Sequence, residues 1–178
     1  FRLEFHLVEP GFHYVHFPKI PGTTAMVFSS IVPIDEEYTS HRMTFCIGIR
    51  VEAGLIALAD TQIVRGDHTS SKAKLSMIRV GGRDVFLMTS GLRSIRDKAV
   101  SRLEDRIATM PRPFERAHQL ASAFGDELRQ ARLEDEATLK AGGLSFNLHA
   151  IIGGRLPGDT EPCLFEVFPE CNWVCATP

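Results

Sequence analysis

Two short apolar runs lie either side of a glycine-containing turn in this sequence, TFCIGIR at residues 44–50 and LIALA at residues 55–59. Residues 52–54 (EAG) separate them, and two apolar runs around such a connection are typical of a β-hairpin. Both runs are apolar on their two faces, and strands of this kind have to be covered from both sides. The hairpin therefore predicts a layered fold in which one sheet packs on another, with helices outside.

The strand pattern continues after a polar segment, residues 61–71, that we expect to be a loop. Glycine pairs at 81–82 and 153–154 are expected to form turns after two of the later strands. Five more strands are predicted from the apolar runs of the remaining chain, at residues 75–80, 85–89, 144–152, 163–168 and 173–176.

Between these groups of strands the hydrophobic period changes to 3.6 residues, which indicates amphipathic helices. One predicted helix carries an apolar face formed by Leu92, Ile95, Ala99, Leu103 and Ile107. After two prolines, a second helix carries Phe114, Ala117, Ala121, Phe124 and Leu128, and it continues or restarts toward Leu139. Strands that cluster apart from helices favour an α+β fold over a doubly wound parallel sheet.

Residues 1–42 differ from the rest of the chain. They contain four prolines, at positions 10, 18, 21 and 33, and no sustained period of 2 or 3.6. Prolines at this frequency break both helices and strand ladders. We expect an N-terminal extension, either a pro-segment or translated sequence upstream of a start at Met43, that adds no secondary structure to the domain of residues 43–178.

Composition excludes several classes of function. The net charge of the 178 residues is −2 and no run of Lys and Arg stands out, so nucleic acid is not an expected partner. No apolar stretch approaches the roughly 20 residues needed to span a bilayer, so no membrane association is expected. The four cysteines match no common zinc pattern and are interpreted as buried, reduced side chains in the cytoplasm. No cofactor or metal is expected.

Four ordered blocks carry a resemblance to a known family: residues 43–60, 86–99, 146–154 and 169–174. Together they resemble the proteasome β-type domain and, within that superfamily, the bacterial proteasome-type proteases called Anbu. The resemblance covers residues 43–178 and implies the four-layer αββα sandwich of N-terminal-nucleophile (Ntn) hydrolases. The family's last strands and helices would follow residue 178, as would a serine and an aspartate of its active site, so we expect a domain that is incomplete at its C-terminus.

The resemblance implies that Thr44 is the nucleophile once the preceding residues are removed. A threonine hydroxyl is a poor nucleophile and needs a base. When threonine is the first residue, its own α-amino group lies within reach, and the reference pKa of about 7.7–8.0 leaves a useful neutral fraction near pH 7. Met43 precedes Thr44, and methionine before a small residue is removable by an aminopeptidase.

Three further positions match the family's site. Asp60 corresponds to the aspartate that orients an active-site lysine, and Gly91 to the backbone donor of the oxyanion hole. Lys74 is the better match for the lysine. Lys72 stays an alternative because it lies two residues earlier and would point to the same face of an extended segment. The arginine that the family usually places two residues after the aspartate is Gln62 here, which puts contacts on the substrate side in doubt.

Two functions remain open at this point. The first is a threonine peptidase that hydrolyses peptide bonds in a peptide or unfolded protein, and the second is a non-catalytic scaffold that keeps the sandwich as a ring-forming subunit. A metal-dependent hydrolase that uses His6, His13 and His16 is a distant third. For either main function the resemblance implies self-association into a ring or an open assembly, and it leaves any ATPase partner unknown.

Overall fold

The computed structural model describes residues 4–9, 12–16, 24–32, 42–51, 53–59, 62–65, 68–71 and 74–176, and it describes side chains only for residues 46–51, 53–59 and 74–176. The first seven described strands are β1 (Glu4–Glu9), β2 (Phe12–His16), β3 (Thr24–Val32), β4 (Arg42–Val51), β5 (Gly54–Ala59), β6 (Gln62–Arg65) and β7 (His68–Ser71). The remaining elements are β8 (Leu75–Val80), β9 (Arg83–Gly91), α1 (Arg93–Thr109), α2 (Ala117–Ala141), β10 (Leu148–Gly154), β11 (Cys163–Val167) and β12 (Trp173–Cys175).

Two antiparallel sheets form the body of the fold. One has the strand order β3-β4-β5 and the other β12-β11-β10-β9-β8, and two separate hairpins, β1-β2 and β6-β7, complete the described strands. The two larger sheets pack face to face through an apolar cluster between them, formed by Cys46, Phe86, Met88, Ile151, Leu164 and Ala176. The expected packing of sheet on sheet is therefore present.

Both helices cover the other face of the five-stranded sheet. The buried face of α1 consists of Ile95, Ala99 and Leu103, as the period of the sequence predicts. The second helix is continuous through residue 141 and buries Phe124 and Leu128 against the same sheet. Neither helix among the described residues is long and apolar enough to cross a membrane. The α+β class is confirmed, with helices on the far side of one of two antiparallel sheets.

The expectation that residues 1–42 add no secondary structure is wrong. β3 pairs with β4 in an unbroken antiparallel register from Thr24 opposite Arg50 to Val32 opposite Arg42, and β1 and β2 form a hairpin. The physical reason is the position of the prolines. All four lie outside the strand ranges, between β1 and β2, between β2 and β3 and directly after β3, where the missing N–H disrupts no ladder.

Two other local predictions are also wrong. The polar segment 61–71, expected to be a loop, contains the β6-β7 hairpin. The sequence signal for this hairpin is the dipeptide Gly66-Asp67 between the two strands, which suits a tight turn. Gly153 and Gly154 are the last residues of β10 and not a turn. A Cβ on Gly153 would overlap the ring of Phe86, so a larger residue does not fit there. Of the four free cysteines, Cys46 and Cys171 are buried as expected, whereas Cys175 is exposed.

Candidate active site

The position of β4 over the five-stranded sheet decides which residues come together. A Cβ on Gly48 would lie 3.1 Å from Cγ2 of Ile151 and 3.2 Å from Cδ2 of Leu164. Arg50, two residues further on, forms an ion pair of 3.4 Å with Glu161, just before β11. The C-terminal half of β4 therefore lies near the β10-β11 connection. Its N-terminal half points toward the opposite end of the five-stranded sheet.

Thr44 lies at that opposite end. It is four residues before Gly48, a distance of about 13 Å along a strand that rises about 3.3 Å per residue. Gly48 packs against Ile151 and against Leu164, and Leu164 pairs with Gly153, so Gly48 lies over β10 between Ile151 and Gly153. The same distance back along β10 from that point reaches Leu148, which pairs with Gly91. From the strand rise we expect the backbone of Thr44 to come level with the Gly91–Leu148 pair.

Thr44 is the third residue of β4 and pairs with Ser30 of β3. The register continues through Met43 and Arg42, so the ladder runs past the Met43–Thr44 bond without a break. Because Met43 is bonded to it, the nitrogen of Thr44 in this chain is an amide and not an amine. The side chain of Thr44 lies outside the described residues, so the predicted approach of its Oγ to Nζ of Lys74 stays a prediction.

Gly91 ends β9 immediately before α1, with a φ of 125°, a conformation that side chains strongly disfavour. The N–H of Leu92, the N-cap residue of α1, donates to the carbonyl oxygen of Asn147 at 2.9 Å. The backbone N–H groups at the start of a helix have no intrahelical partner and favour negative charge. The structure therefore places Gly91 at a helix start, and its role as an oxyanion donor stays a prediction.

Lys74 lies beside this junction. Its carbonyl oxygen accepts a hydrogen bond of 3.2 Å from the N–H of Thr89, which places Lys74 at the start of β8 and close to Ser90 and Gly91. Lys74 is half-buried. Asp60 and Lys72 both lie outside the described residues. The orienting role of Asp60 and the choice of Lys74 over Lys72 therefore remain predictions.

Two polar residues at this end were missed from the sequence. Ser90 of β9 and His149 of β10 are register partners. The signal in the sequence was a polar residue within an otherwise mostly apolar strand, FLMTS at residues 86–90 and LHAII at residues 148–152. The ring of Phe168 packs edge-on against the imidazole of His149, with centroids 6.2 Å apart. Burial lowers the pKa of His149, against a smaller opposing effect of the Glu170 carboxylate, which favours the neutral imidazole at pH 7.

Glu166 is a further missed polar residue of the five-stranded sheet. It pairs with Ile151, so it shares the face that meets β4. Burial raises the pKa of its carboxyl group. Within the described ranges, no group of three or more His, Cys, Asp or Glu could hold a metal ion, and the side chains of His6, His13 and His16 fall outside those ranges.

Comparison with solved structures relates this arrangement to one group of proteins. A Gly-1 mutant of Anbu from Hyphomicrobium sp. strain MC1 is 28% identical, with a TM-score of 0.62 over 75% of this chain and 55% of that one. The aligned part of the chain has an Anbu-like fold. Anbu from Yersinia bercovieri, described as an ancestral β-subunit, is 24% identical, with a TM-score of 0.63 over 74% of this chain and 55% of its own.

A third similar structure is a helical assembly of the Anbu complex from Pseudomonas aeruginosa, 18% identical, with a TM-score of 0.59 over 88% of this chain and 57% of that one. The chain spans just over half the length of these Anbu chains. No protein-family model and no curated protein sequence matches it. The Anbu likeness supports the family resemblance drawn from the sequence.

Proposed function

We propose that this chain is part of a proteasome-type threonine peptidase whose nucleophile is Thr44 after removal of the residues up to Met43. Its substrate is a peptide or an unfolded protein, and the cytoplasm is its compartment. The proposal is supported by the direction of β4, which leads from Gly48, packed against Ile151 and Leu164, toward the end of the five-stranded sheet where Gly91 and Lys74 lie. The complete domain is the four-layer αββα sandwich, with further helices on the outer face of the sheet that contains β4 and β5.

The reaction is acyl transfer at a peptide carbonyl. Oγ of Thr44 attacks the carbonyl carbon while the α-amine of the same residue accepts the hydroxyl proton. The N–H of Gly91 donates to the oxyanion that forms, an interaction that is stronger in the transition state than in the substrate. The amine returns the proton to the leaving nitrogen, and a water molecule then hydrolyses the acyl ester on Thr44.

The amine can act as a base only when it is neutral. An ammonium group nearby disfavours a second positive charge and so lowers the pKa of the amine. Lys74 supplies that ammonium, and its half-buried position limits screening by solvent. Asp60 orients Lys74 in this mechanism.

One observation favours the alternative, a non-catalytic scaffold. The β3-β4 ladder runs through Arg42, Met43 and Thr44, so the uncleaved chain offers no amine at residue 44. A protein that kept this ladder throughout its life would retain the sandwich and lose the base. Both functions imply self-association into a ring or an open assembly. An ATPase partner would be relevant only to the peptidase.

Analysis of the mature N-terminus separates the two. The full-length protein is purified from its own cells, its N-terminus is sequenced, and it is treated with a peptidyl epoxyketone, an electrophile that reacts with a hydroxyl and an adjacent amine together. If the protein is a threonine peptidase, we expect an N-terminus at Thr44 and one covalent adduct on that residue. An intact N-terminal extension, with no adduct even after cleavage at the Met43–Thr44 bond, would show that the scaffold is the correct function.

A further inference from the structure

A groove lies between the C-terminal end of α2 and the segment that leads into β10. Its volume is about 420 Å³, which is within the range of small-ligand sites in proteins. Three charged residues of α2 and residues 143–146 line it. The buried side chain of Phe146 and the exposed side chain of Leu144 give part of this lining an apolar character.

The groove is at the end of the five-stranded sheet that carries the candidate active site. Phe146 directly precedes Asn147, whose carbonyl oxygen lies against Gly91. Arg132 reaches the same end, because its Nη1 donates to the carbonyl oxygen of Pro169 at 3.3 Å, just beyond β11. A peptide bound with its scissile carbonyl at Gly91 extends by about 3.3 Å per residue. Side chains close to the cleaved bond are therefore within reach of the groove.

Two of the three charges that line the groove compensate each other. Nε and Nη2 of Arg132 donate to Oε1 of Glu136 at 3.0 and 2.9 Å, and the guanidinium lies 5.4 Å from the centre of the Phe146 ring. The hydrogen bonds of this pair raise the pKa of Arg132 and lower the pKa of Glu136, so both groups are charged at pH 7. The charge of Arg132 is consequently balanced within the protein.

Lys140 carries the third charge, one helical turn after Glu136. Its side chain is exposed, and its charge makes the smallest of the contributions that lower the pKa of Glu136. Its Nζ forms no hydrogen bond or ion pair with the described part of the chain. The groove therefore combines an excess positive charge with an apolar wall. A carboxylate on a short aliphatic stem complements both features.

We propose that this groove is a substrate subsite that binds an aspartate or glutamate side chain of the peptide, with Lys140 as the residue that determines the preference. This rests on the proposed function, since it takes a peptide bound at Gly91 as given. The carboxylate pairs with the ammonium of Lys140, and the methylene groups of the peptide side chain pack on Leu144 and Phe146. Lys140 touches neither the oxyanion nor the attacking hydroxyl.

The test uses ten-residue peptides that differ only in carrying glutamate or glutamine at one position, which is moved along the peptide. The full-length protein cleaved at the Met43–Thr44 bond digests each peptide, and mass spectrometry of the products gives kcat and KM. Glutamate should be preferred about two- to fivefold at one position relative to the scissile bond, the effect of one exposed ion pair. The difference should lie in KM and should shrink at high salt, because the contact is electrostatic and remote from the reacting atoms.

Variants of Lys140 separate binding from a role in helix stability, because a lysine in the last turn also interacts favourably with the helix dipole. Lys140→Gln should remove the preference, Lys140→Glu should reverse it, and Lys140→Arg should keep it. Arg83→Gln is the matched control and should leave the preference unchanged, since Arg83 is an exposed cation at the opposite end of β9. A Lys140→Gln variant that loses only stability, with a lower urea midpoint and an intact preference, would overturn the inference.

Labelling with the epoxyketone separates failure of the subsite from failure of the proposed function. A processed protein that takes the label, but cleaves the glutamate peptides no faster than the glutamine peptides at any position, would overturn the subsite and leave the nucleophile in place. If the processed protein takes no label and cleaves no peptide, the proposed function fails, and the subsite fails with it.

Discussion

Gly91 lies directly against the backbone of Asn147. A Cβ at residue 91 would overlap the carbonyl oxygen of Asn147 and would lie 2.8 Å from its carbonyl carbon. The same carbonyl accepts the N–H of Leu92, so β9, the start of α1 and the start of β10 are fixed at one point. This contact fixes the backbone of Gly91 against the start of β10.

Gly91→Ala should therefore destabilise the fold severely. The positive φ costs about 1–3 kcal/mol for a residue with a Cβ, and the overlap with the Asn147 carbonyl adds to it. Gly82→Ala is the matched control, because Gly82 has a φ of 78° with nothing within 4 Å of its Cβ position. Urea unfolding of both variants should show a clearly larger loss for Gly91→Ala. Equal losses would mean that the Asn147 contact is unimportant.

Thr44→Ala in the processed protein should abolish labelling by the epoxyketone, because the attacking oxygen is gone. Thr44→Ser keeps both the hydroxyl and the amine and should retain part of the rate. Intact-mass spectrometry after a fixed time gives the fraction labelled. An uncleaved protein that labels as well as the processed one would contradict the mechanism, since its residue 44 has only an amide nitrogen, and attention would move to Cys46 or to a conventional serine.

Lys74→Ala should reduce labelling of the processed protein strongly at pH 7, because the amine of Thr44 becomes more fully protonated without the nearby ammonium. Lys72→Ala is the matched comparison, because Lys72 lies two residues before Lys74 and would point to the same side of an extended segment. Labelling rates of the two variants decide which lysine belongs to the site. A large loss in Lys72→Ala alone would reassign the role, and full activity in both variants would exclude the lysine from the mechanism.

Glu166→Gln should stabilise the protein at pH 7. Burial raises the pKa of Glu166 in the folded state, so the folded protein holds a proton that the unfolded chain releases above pH 4.5. The favourable contribution of the protonated group is present below pH 4.5 and is lost as the pH rises through the folded pKa. Urea midpoints should therefore differ at pH 7 and converge near pH 4. Glu104→Gln, at an exposed position of α1, is the control.

The full-length protein should self-associate into complexes of identical subunits. Helix α2 presents Leu133 to solvent with 76% of its surface exposed, and the proposed function includes self-association. Closed rings and open helices both arise from repeated contacts between identical chains. Native mass spectrometry at micromolar concentration measures the state, and a single monomeric species would contradict the prediction.

Much of the fold could be predicted from residue 43 onward because local pattern and packing agree there. The apolar faces of both helices carry the period that buries Ile95, Ala99, Phe124 and Leu128. The segment before Met43 differs from its prediction because proline frequency is not a property of the whole segment. Where each proline falls matters more than how many there are, since prolines between strands leave the ladders intact.

The sequence by itself determined the α+β class, the two helices, and the candidacy of Thr44, Asp60, Lys74 and Gly91, because ordered motifs and hydrophobic period are local properties of a chain. Only the tertiary structure decided that β4 packs on the five-stranded sheet with Gly48 against Ile151 and Leu164, and that Ser90 is a buried residue on the face that meets β4. The register between two packed sheets depends on contacts such as Gly48 against Ile151 and Leu164, more than 100 residues away, which no local pattern encodes.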